Sequence, residues 1–272
     1  MKNHTSFKIG GNAETVVFPK TVGEMVDVIK NTDNPLVLGK GSNVLVSDDG
    51  IKGVVVITEK MSEVSAEGNI IKADCGAMLS KIANVALENS LEGFEFASGI
   101  PGTLGGAILM NAGAYGGEMK DVIKNVTFCD EKGEIFTTEG KDCDFSYRHS
   151  YFSDKKLYIL SAEIELKKGD KEKVRSLMNE LNARRKEKQP LNYPSAGSTF
   201  KRPEGYFAGK LISDSGLKGF SIGGAQVSEK HAGFVINTGN ATCRDVLDLI
   251  EHCKKTVFEK YSVELEPEVR II

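Results

Sequence analysis

The sequence predicts an α+β fold, and three observations predict it. Helical and extended periods are mixed along the chain without a strict strand–helix repeat, which argues against a doubly wound parallel sheet. The segment from Tyr158 alternates cleanly, with Leu160, Ala162, Ile164 and Leu166 on one face and Ser161, Glu163, Glu165 and Lys167 on the other, as a half-buried strand requires. Glycines crowd residues 39–53, 93–117 and 216–224, where backbone must turn or approach something closely.

The elements follow in order. Thr21 with Glu24 forms a capping box ahead of Val22, Met25, Val26 and Ile29, the i, i+3, i+4, i+7 stripe of a helix. Extended segments come next at 36–39, 53–58 and 70–76. Leu79, Ile82, Ala83, Ala86 and Leu87 give a second helix, and VTFCDE with GEIFTTEG around 126–140 gives two further strands. Val174, Leu177, Met178 and Leu181 form a third helical stripe, followed by the basic run RRKEK at 184–188. The two prolines of KEKQPLNYPSAGS at 186–198 mark the best domain boundary. Thr242 with Asp245 opens a fourth helix carrying Val246, Leu249, Ile250, Cys253 and Val257.

Composition removes several classes. With 35 Lys+Arg against 38 Asp+Glu, the net charge is −3, so no basic surplus exists to release counterions from nucleic acid. Five cysteines without a C-x-x-C pair fit neither a disulfide framework nor zinc, and they point to a reducing cytoplasm. Four histidines without H-E-x-x-H spacing make a bound metal an unneeded assumption. The start, MKNHTSFKIGG, has no apolar signal core. The uncharged stretch 96–117 is 22 residues long, enough to span a bilayer, but its seven glycines and Pro101 make it a loop-rich binding segment.

Three glycine motifs bear on chemistry. In Gly39-Lys40-Gly41-Ser42-Asn43, backbone amides can converge on an anion with Ser42 and Asn43 adding donors; the competing reading is a tight turn. It is no Rossmann fingerprint, because VLVSD follows where a helix should begin. The run from Ala97 to Ala107, continuing to Asn111 and Ala114, suits a flat polar cofactor whose pyrophosphate needs N–H donors. Gly219-Phe220-Ser221-Ile222-Gly223 matches G-x-S-x-G, but a helix-like GKLISDSG precedes it and an extended segment follows, the reverse of a nucleophile elbow.

TSFKIGGNAE, LGKGSNVLVSD, ASGIPGTLGGAILMNAGAYGGEM, FSYRHS, AGSTFKRP, GKLI with GLKG and GGAQVSEKHAGFVIN, and LEPEVR occur in an order that resembles the UDP-N-acetylenolpyruvoylglucosamine reductases. The resemblance covers essentially the whole chain. It implies an FAD-binding fold of the vanillyl-alcohol oxidase type with a C-terminal α+β substrate domain. It further implies non-covalently held FAD, NADPH as its reductant, and reduction of UDP-N-acetylglucosamine enolpyruvate to UDP-N-acetylmuramate in peptidoglycan precursor synthesis. The implied lobes are 1–56, completed by 262–272, and 57–189 for FAD, with 190–261 for substrate.

Residue by residue, the resemblance implies an FAD cradle of Gly41, Ser42, Asn43, Ser98, Gly99, Ile100, Gly102, Gly105, Gly106, Asn111 and Ala114. Arg148, Ser198 and Glu268 look like the catalytic residues, and Tyr147, Lys188, Lys201 and His231 like substrate contacts. Hydride addition to the enol ether leaves charge at C2 and in the carboxylate. Arg148 can face that charge with a planar fork. Ser198 can return a proton to C2 if a cation such as Lys201 steadies its alkoxide. Glu268 is either protonated and donating, or it orients Arg148 or a water. Only about a dozen residues separate Arg148 from the strand at 158, so the chain resembles the short type without a tyrosine-bearing insertion, and position 202 is Arg where other members have Asn. Two rivals remain at this stage. One is an FAD oxidase or dehydrogenase of the same fold acting on another substrate, and the other is a nucleotide-sugar binding module without turnover.

Overall fold

Both predicted capping boxes open helices, but only the second forms the reciprocal bond. In the computed structural model, which describes residues 1–272, Thr21 Oγ1 accepts the Glu24 N–H at 3.2 Å ahead of α1 (Val22–Lys30). The Glu24 carboxylate takes the Lys20 N–H at 2.8 Å, one residue short of the reciprocal bond. The second helix, α2 (Leu79–Glu88), buries Leu79, Ile82, Ala83 and Ala86. A helix not foreseen in the glycine-rich segment, α3 (Leu104–Leu109), follows. In α4 (Lys171–Lys188) the stripe Val174, Met178 and Leu181 is buried while Leu177 faces out, and the helix runs through the basic stretch. GKLISDSG forms α5 (Ala208–Asp214). The Thr242–Asp245 box closes in both directions, at 3.0 Å each, ahead of α6 (Cys243–Tyr261).

These elements pack as two units. One contains residues 15–40 and 54–185, the other 1–14, 41–53 and 186–272. The first is built on a five-stranded antiparallel sheet in the order Ile135–Glu139, Ile123–Asp130, Leu157–Glu165, Ile70–Asp74, Val64–Glu67. The alternation from Tyr158 is realised: Leu160, Ala162 and Ile164 join Leu79, Ile82, Leu104 and Ile108 of α2 and α3 in one apolar cluster. Each such side chain removed from water contributes roughly 1.5–3 kcal/mol, enough for the cluster to decide the unit's fold. Beside it, Leu36–Leu38 pairs in parallel with Val55–Ile57.

The second unit gathers three separate chain segments. The physical reason is its core, in which Phe7, Ile9 and Leu45 are buried with Leu211, Val246, Leu249 and Val269. A three-stranded antiparallel sheet, Ser221–Ile222, Ala225–Val227 and Val235–Asn237, packs with α6, and Arg270–Ile271 runs parallel to Val44–Leu45. Ser221 lies in a short strand, its hydroxyl donating to Gly219 O at 3.2 Å, and a strand rather than a helix follows. That geometry excludes a nucleophile elbow.

No helix is long and apolar enough to cross a membrane. All five cysteines are buried thiols. Burial, with Asp74 adding repulsion, pushes Cys75 up to about 12 from an ordinary 9.0, and burial alone pushes Cys253 to about 12. The folded chain holds these protons where the unfolded chain releases them, so stability falls as pH rises from about 9 toward 12. Near neutral pH we expect a thiol-reactive dye to label none of the five on the stopped-flow timescale and all five in denaturant. Rapid labelling of the native protein would contradict the burial.

Candidate functional site

Within the unit holding the five-stranded sheet, the glycine run folds back on the strand before it. The N–H groups of Leu104 and Gly105 donate to Ala77 O at 2.9 Å and Cys75 O at 2.7 Å. Several glycines are demanded by the protein's own packing. A Cβ on Gly105 would lie 3.0 Å from Cys75 Cβ, one on Gly99 would lie 2.3 Å from Asn182 Oδ1, and one on Gly39 would lie 1.9 Å from Thr103 Oγ1. Gly106 differs. It is exposed on the first turn of α3, and an added Cβ would meet nothing nearer than Thr103 Oγ1 at 4.0 Å. No internal contact explains its missing side chain.

Around this run stand Ser98, buried, its hydroxyl accepting from Asn182 Nδ2 at 3.3 Å, and Ile100, packed on the core. Gly102 O accepts the Leu79 N–H at 3.1 Å. Ala114 sits in the small hairpin Gly113–Ala114 with Gly117–Glu118. At its tip Tyr115 has φ +54° and carries the Arg184 guanidinium 5.2 Å from its ring centre. Arg185 donates to Gly99 O and bonds Tyr115, and burial lowers its pKa while Tyr115 opposes the shift. It makes no ion pair, and a half-buried guanidinium without a carboxylate favours an anionic ligand. Arg185 was not singled out from the sequence, where it reads as part of a charged run. The signal was its spacing: it continues the buried stripe Val174, Met178, Leu181 at i+4.

Arg148 occupies a two-residue turn. Ser146 N–H donates to His149 O at 3.1 Å and His149 N–H to Ser146 O at 3.3 Å, with Tyr147 and Arg148 between them. Arg148 has φ +57°, a conformation costing of order 1–3 kcal/mol for a side-chain-bearing residue and kept only where surroundings enforce it. Its guanidinium lies 5.3 Å from the Tyr147 ring centre, and Tyr147 is 52% exposed. The Glu118 carboxyl is held below its usual range, first by the Lys120 hydrogen bond, with Asn111 and the Arg148 charge contributing.

Asn111, which the resemblance assigns to the cofactor, has a buried side chain engaged inside the protein. Nδ2 donates to Glu118 Oε2 at 2.9 Å and Ser146 O at 3.1 Å, and Oδ1 accepts the Lys120 N–H at 3.0 Å. Three of the amide's four hydrogen-bonding positions are filled, which leaves little for a ligand.

The other unit holds the remaining assigned residues. Gly41 has φ +60°, and a Cβ there would lie 2.4 Å from His4 O. Next to it, Asn43 Nδ2 donates to Glu268 O at 3.0 Å, and Asn43 O accepts the Arg270 N–H at 3.0 Å. Glu268 N–H donates in turn to Thr199 O at 2.8 Å, one residue after Ser198. Three segments therefore converge: 41–43, 198–201 and 266–270. Thr199 is fixed below by its hydroxyl, which accepts the Val235 N–H at 2.8 Å. Ser198 and Ser42 stay half-buried. The Lys201 ammonium pairs with Glu266 on the surface, so it serves Ser198 only by leaving that partner. His231 Nδ1 accepts the Gly233 N–H at 3.1 Å, and burial lowers its pKa, leaving a neutral ring with Nε2–H as donor. Lys188 is exposed at the end of α4.

Comparison with known proteins follows from this geometry. A family model described as an FAD binding domain matches residues 13–139, and one described as UDP-N-acetylenolpyruvoylglucosamine reductase, C-terminal domain, matches residues 189–272. The UDP-N-acetylenolpyruvoylglucosamine reductase of Caldanaerobacter subterraneus subsp. tengcongensis is 57% identical across 100% of this chain and 91% of its own. That of Clostridium novyi is 53% identical across 100% and 90%. The crystal structure of the Thermus caldophilus UDP-N-acetylenolpyruvylglucosamine reductase superposes with a TM-score of 0.88 at 32% identity, over 99% of this chain and 96% of that one.

Proposed function

The chain belongs to the UDP-N-acetylenolpyruvoylglucosamine reductase family, and from that premise we propose how its residues carry the FAD-dependent reduction of UDP-N-acetylglucosamine enolpyruvate to UDP-N-acetylmuramate in peptidoglycan synthesis. NADPH is the proposed reductant and the cytoplasm the proposed compartment. FAD binding falls to residues 1–56 with 262–272 and to 57–189, and substrate binding to 190–261.

FAD, when bound, supplies the hydride chemistry that no side chain can perform. The backbone and hydroxyls of Gly41, Ser42, Asn43, Ser98, Gly99, Ile100, Gly102, Gly105, Gly106 and Ala114 would hold it. Gly106 fits that role because nothing in the chain occupies the place of its missing side chain. Arg148 presents its fork to the substrate carboxylate, where negative charge grows during the reaction. Ser198 delivers the proton to C2, and Glu268, joined to the same backbone, directs it or the water that replenishes it. Tyr147, Lys188, Lys201 and His231 are assigned to the substrate, His231 through its Nε2–H.

The observation that supports this reading best is the hydrogen bond from Glu268 N–H to Thr199 O at 2.8 Å, because it joins the segment carrying the acid to the segment carrying the serine that is to donate a proton. Anaerobic spectroscopy tests the whole. The purified protein should be yellow, bleach with NADPH, and regain colour only with the enolpyruvyl substrate, yielding UDP-N-acetylmuramate. Recovery with oxygen alone would show an oxidase on another substrate, and a colourless preparation that binds the nucleotide sugar without taking up FAD would show a binding module.

A further inference from the structure

We propose that Asn111, acting with Glu118, is a positioning residue that fixes the turn presenting Arg148, and that it does not contact FAD. The inference rests on the assignment of Arg148 to the substrate.

The backbone explains half of the argument. Helix α3 ends in a Schellman motif: Ala112 N–H donates to Ala107 O at 2.8 Å and Asn111 N–H to Ile108 O at 3.1 Å, with Asn111 left-handed at φ +43°. Glycine is the residue this position favours, since it adopts positive φ without a Cβ penalty. The side chain therefore needs its own reason, and its contacts supply one.

Asn111 is 2% exposed, and its Nδ2 holds both the Glu118 carboxylate and the Ser146 carbonyl. Ser146 is the residue whose N–H and C=O close the turn around Tyr147 and Arg148. The far side of that turn is tied to the same helix end. Ser150, fully buried, donates from Oγ to Leu109 O at 2.9 Å, and Ser153 Oγ donates to the same carbonyl at 3.1 Å. Residues 109–111 thus grip the turn at both ends, with a strained Arg148 between. Glu118 is bonded by Lys120 Nζ at 2.8 Å as well as by Asn111, so its negative charge stays in place beside the arginine. A guanidinium that must meet a carboxylate with both prongs tolerates little displacement, and the Asn111 amide limits that displacement.

Asn111→Gly is the informative variant, because it keeps the left-handed backbone and deletes only the amide. We expect the FAD dissociation constant, measured by flavin fluorescence on apoprotein, to stay within about twofold, and NADPH-driven bleaching to be unchanged. Reoxidation by the enolpyruvyl substrate should slow by roughly 10- to 100-fold, the range expected for a misplaced catalytic group. In a double-mutant cycle, Asn111→Gly added to Arg148→Lys should slow that step no further than Arg148→Lys alone, since a residue acting through another has nothing left to position. Multiplying effects, an unchanged rate, or a loss of FAD affinity with both half-reactions slowed would each overturn the inference. Normal turnover by Arg148→Lys itself would instead remove the reading beneath it. Should Asn111→Gly fail to fold, Asn111→Ala serves in its place: it deletes the same amide without adding a charge beside Glu118, and is held to the same outcomes.

Discussion

Ser198→Ala is expected to leave NADPH reduction of bound FAD within about twofold of the parent while slowing reoxidation by the enolpyruvyl substrate by about 10²- to 10⁴-fold, the span attributed to one positioned proton donor. The asymmetry follows from where the proton is needed. Reduction of the cofactor by a nicotinamide requires nothing from the 198–201 segment in this reading. Protonation at C2 requires a hydroxyl held at one face, and Thr199, fixed by Glu268 and Val235 backbone groups, holds the chain there. Removing a hydroxyl from a half-buried position that no packing depends on should leave stability nearly unchanged. Stopped-flow absorbance of the two half-reactions measures both rates, and equal slowing of both would reject the proton-donor role.

Arg148→Lys is expected to slow the same half-reaction by about 10²- to 10³-fold, comparable to loss of one donor aimed at developing charge. The charge survives the substitution but the planar fork does not. Lysine at φ +57° pays the same conformational cost as arginine, so the backbone turn should persist and the loss should be one of geometry. Raised KM with unchanged kcat would indicate that Arg148 only binds substrate, because an interaction made equally in ground and transition states leaves kcat alone. Near-normal values for both would end its assignment.

Local rules made part of the fold legible. The Thr242–Asp245 box and the alternation at 158–166 depend on residues a few positions apart, and both fold as read. Helix α3 was not legible, because its two glycines argue against a helix and its formation depends on amides bonding Ala77 and Cys75 across the fold. The site divides the same way. That the glycine run matters was readable, but its Gly99 and Gly105 answer to internal packing at Asn182 and Cys75, contacts that no periodicity reveals. Nothing in spacing joins Ser198 to Glu268. The resemblance linked them, and the Thr199 hydrogen bond joins only their segments. At Asn111 the motif implies a ligand contact, while the contacts of its amide with Ser146, Glu118 and Lys120 could be found only in the fold.

The bond between Asn43 and the Glu268 carbonyl spans 225 positions of sequence. A contact of that separation closes late and raises the contact order of everything that depends on it. On a ribosome, residues 15–185 can collapse around their sheet while the partners of 41–43 are still unmade. The growing polypeptide can therefore complete the sheet and the Arg148 turn while the 41–43 segment still waits for the last residues to emerge.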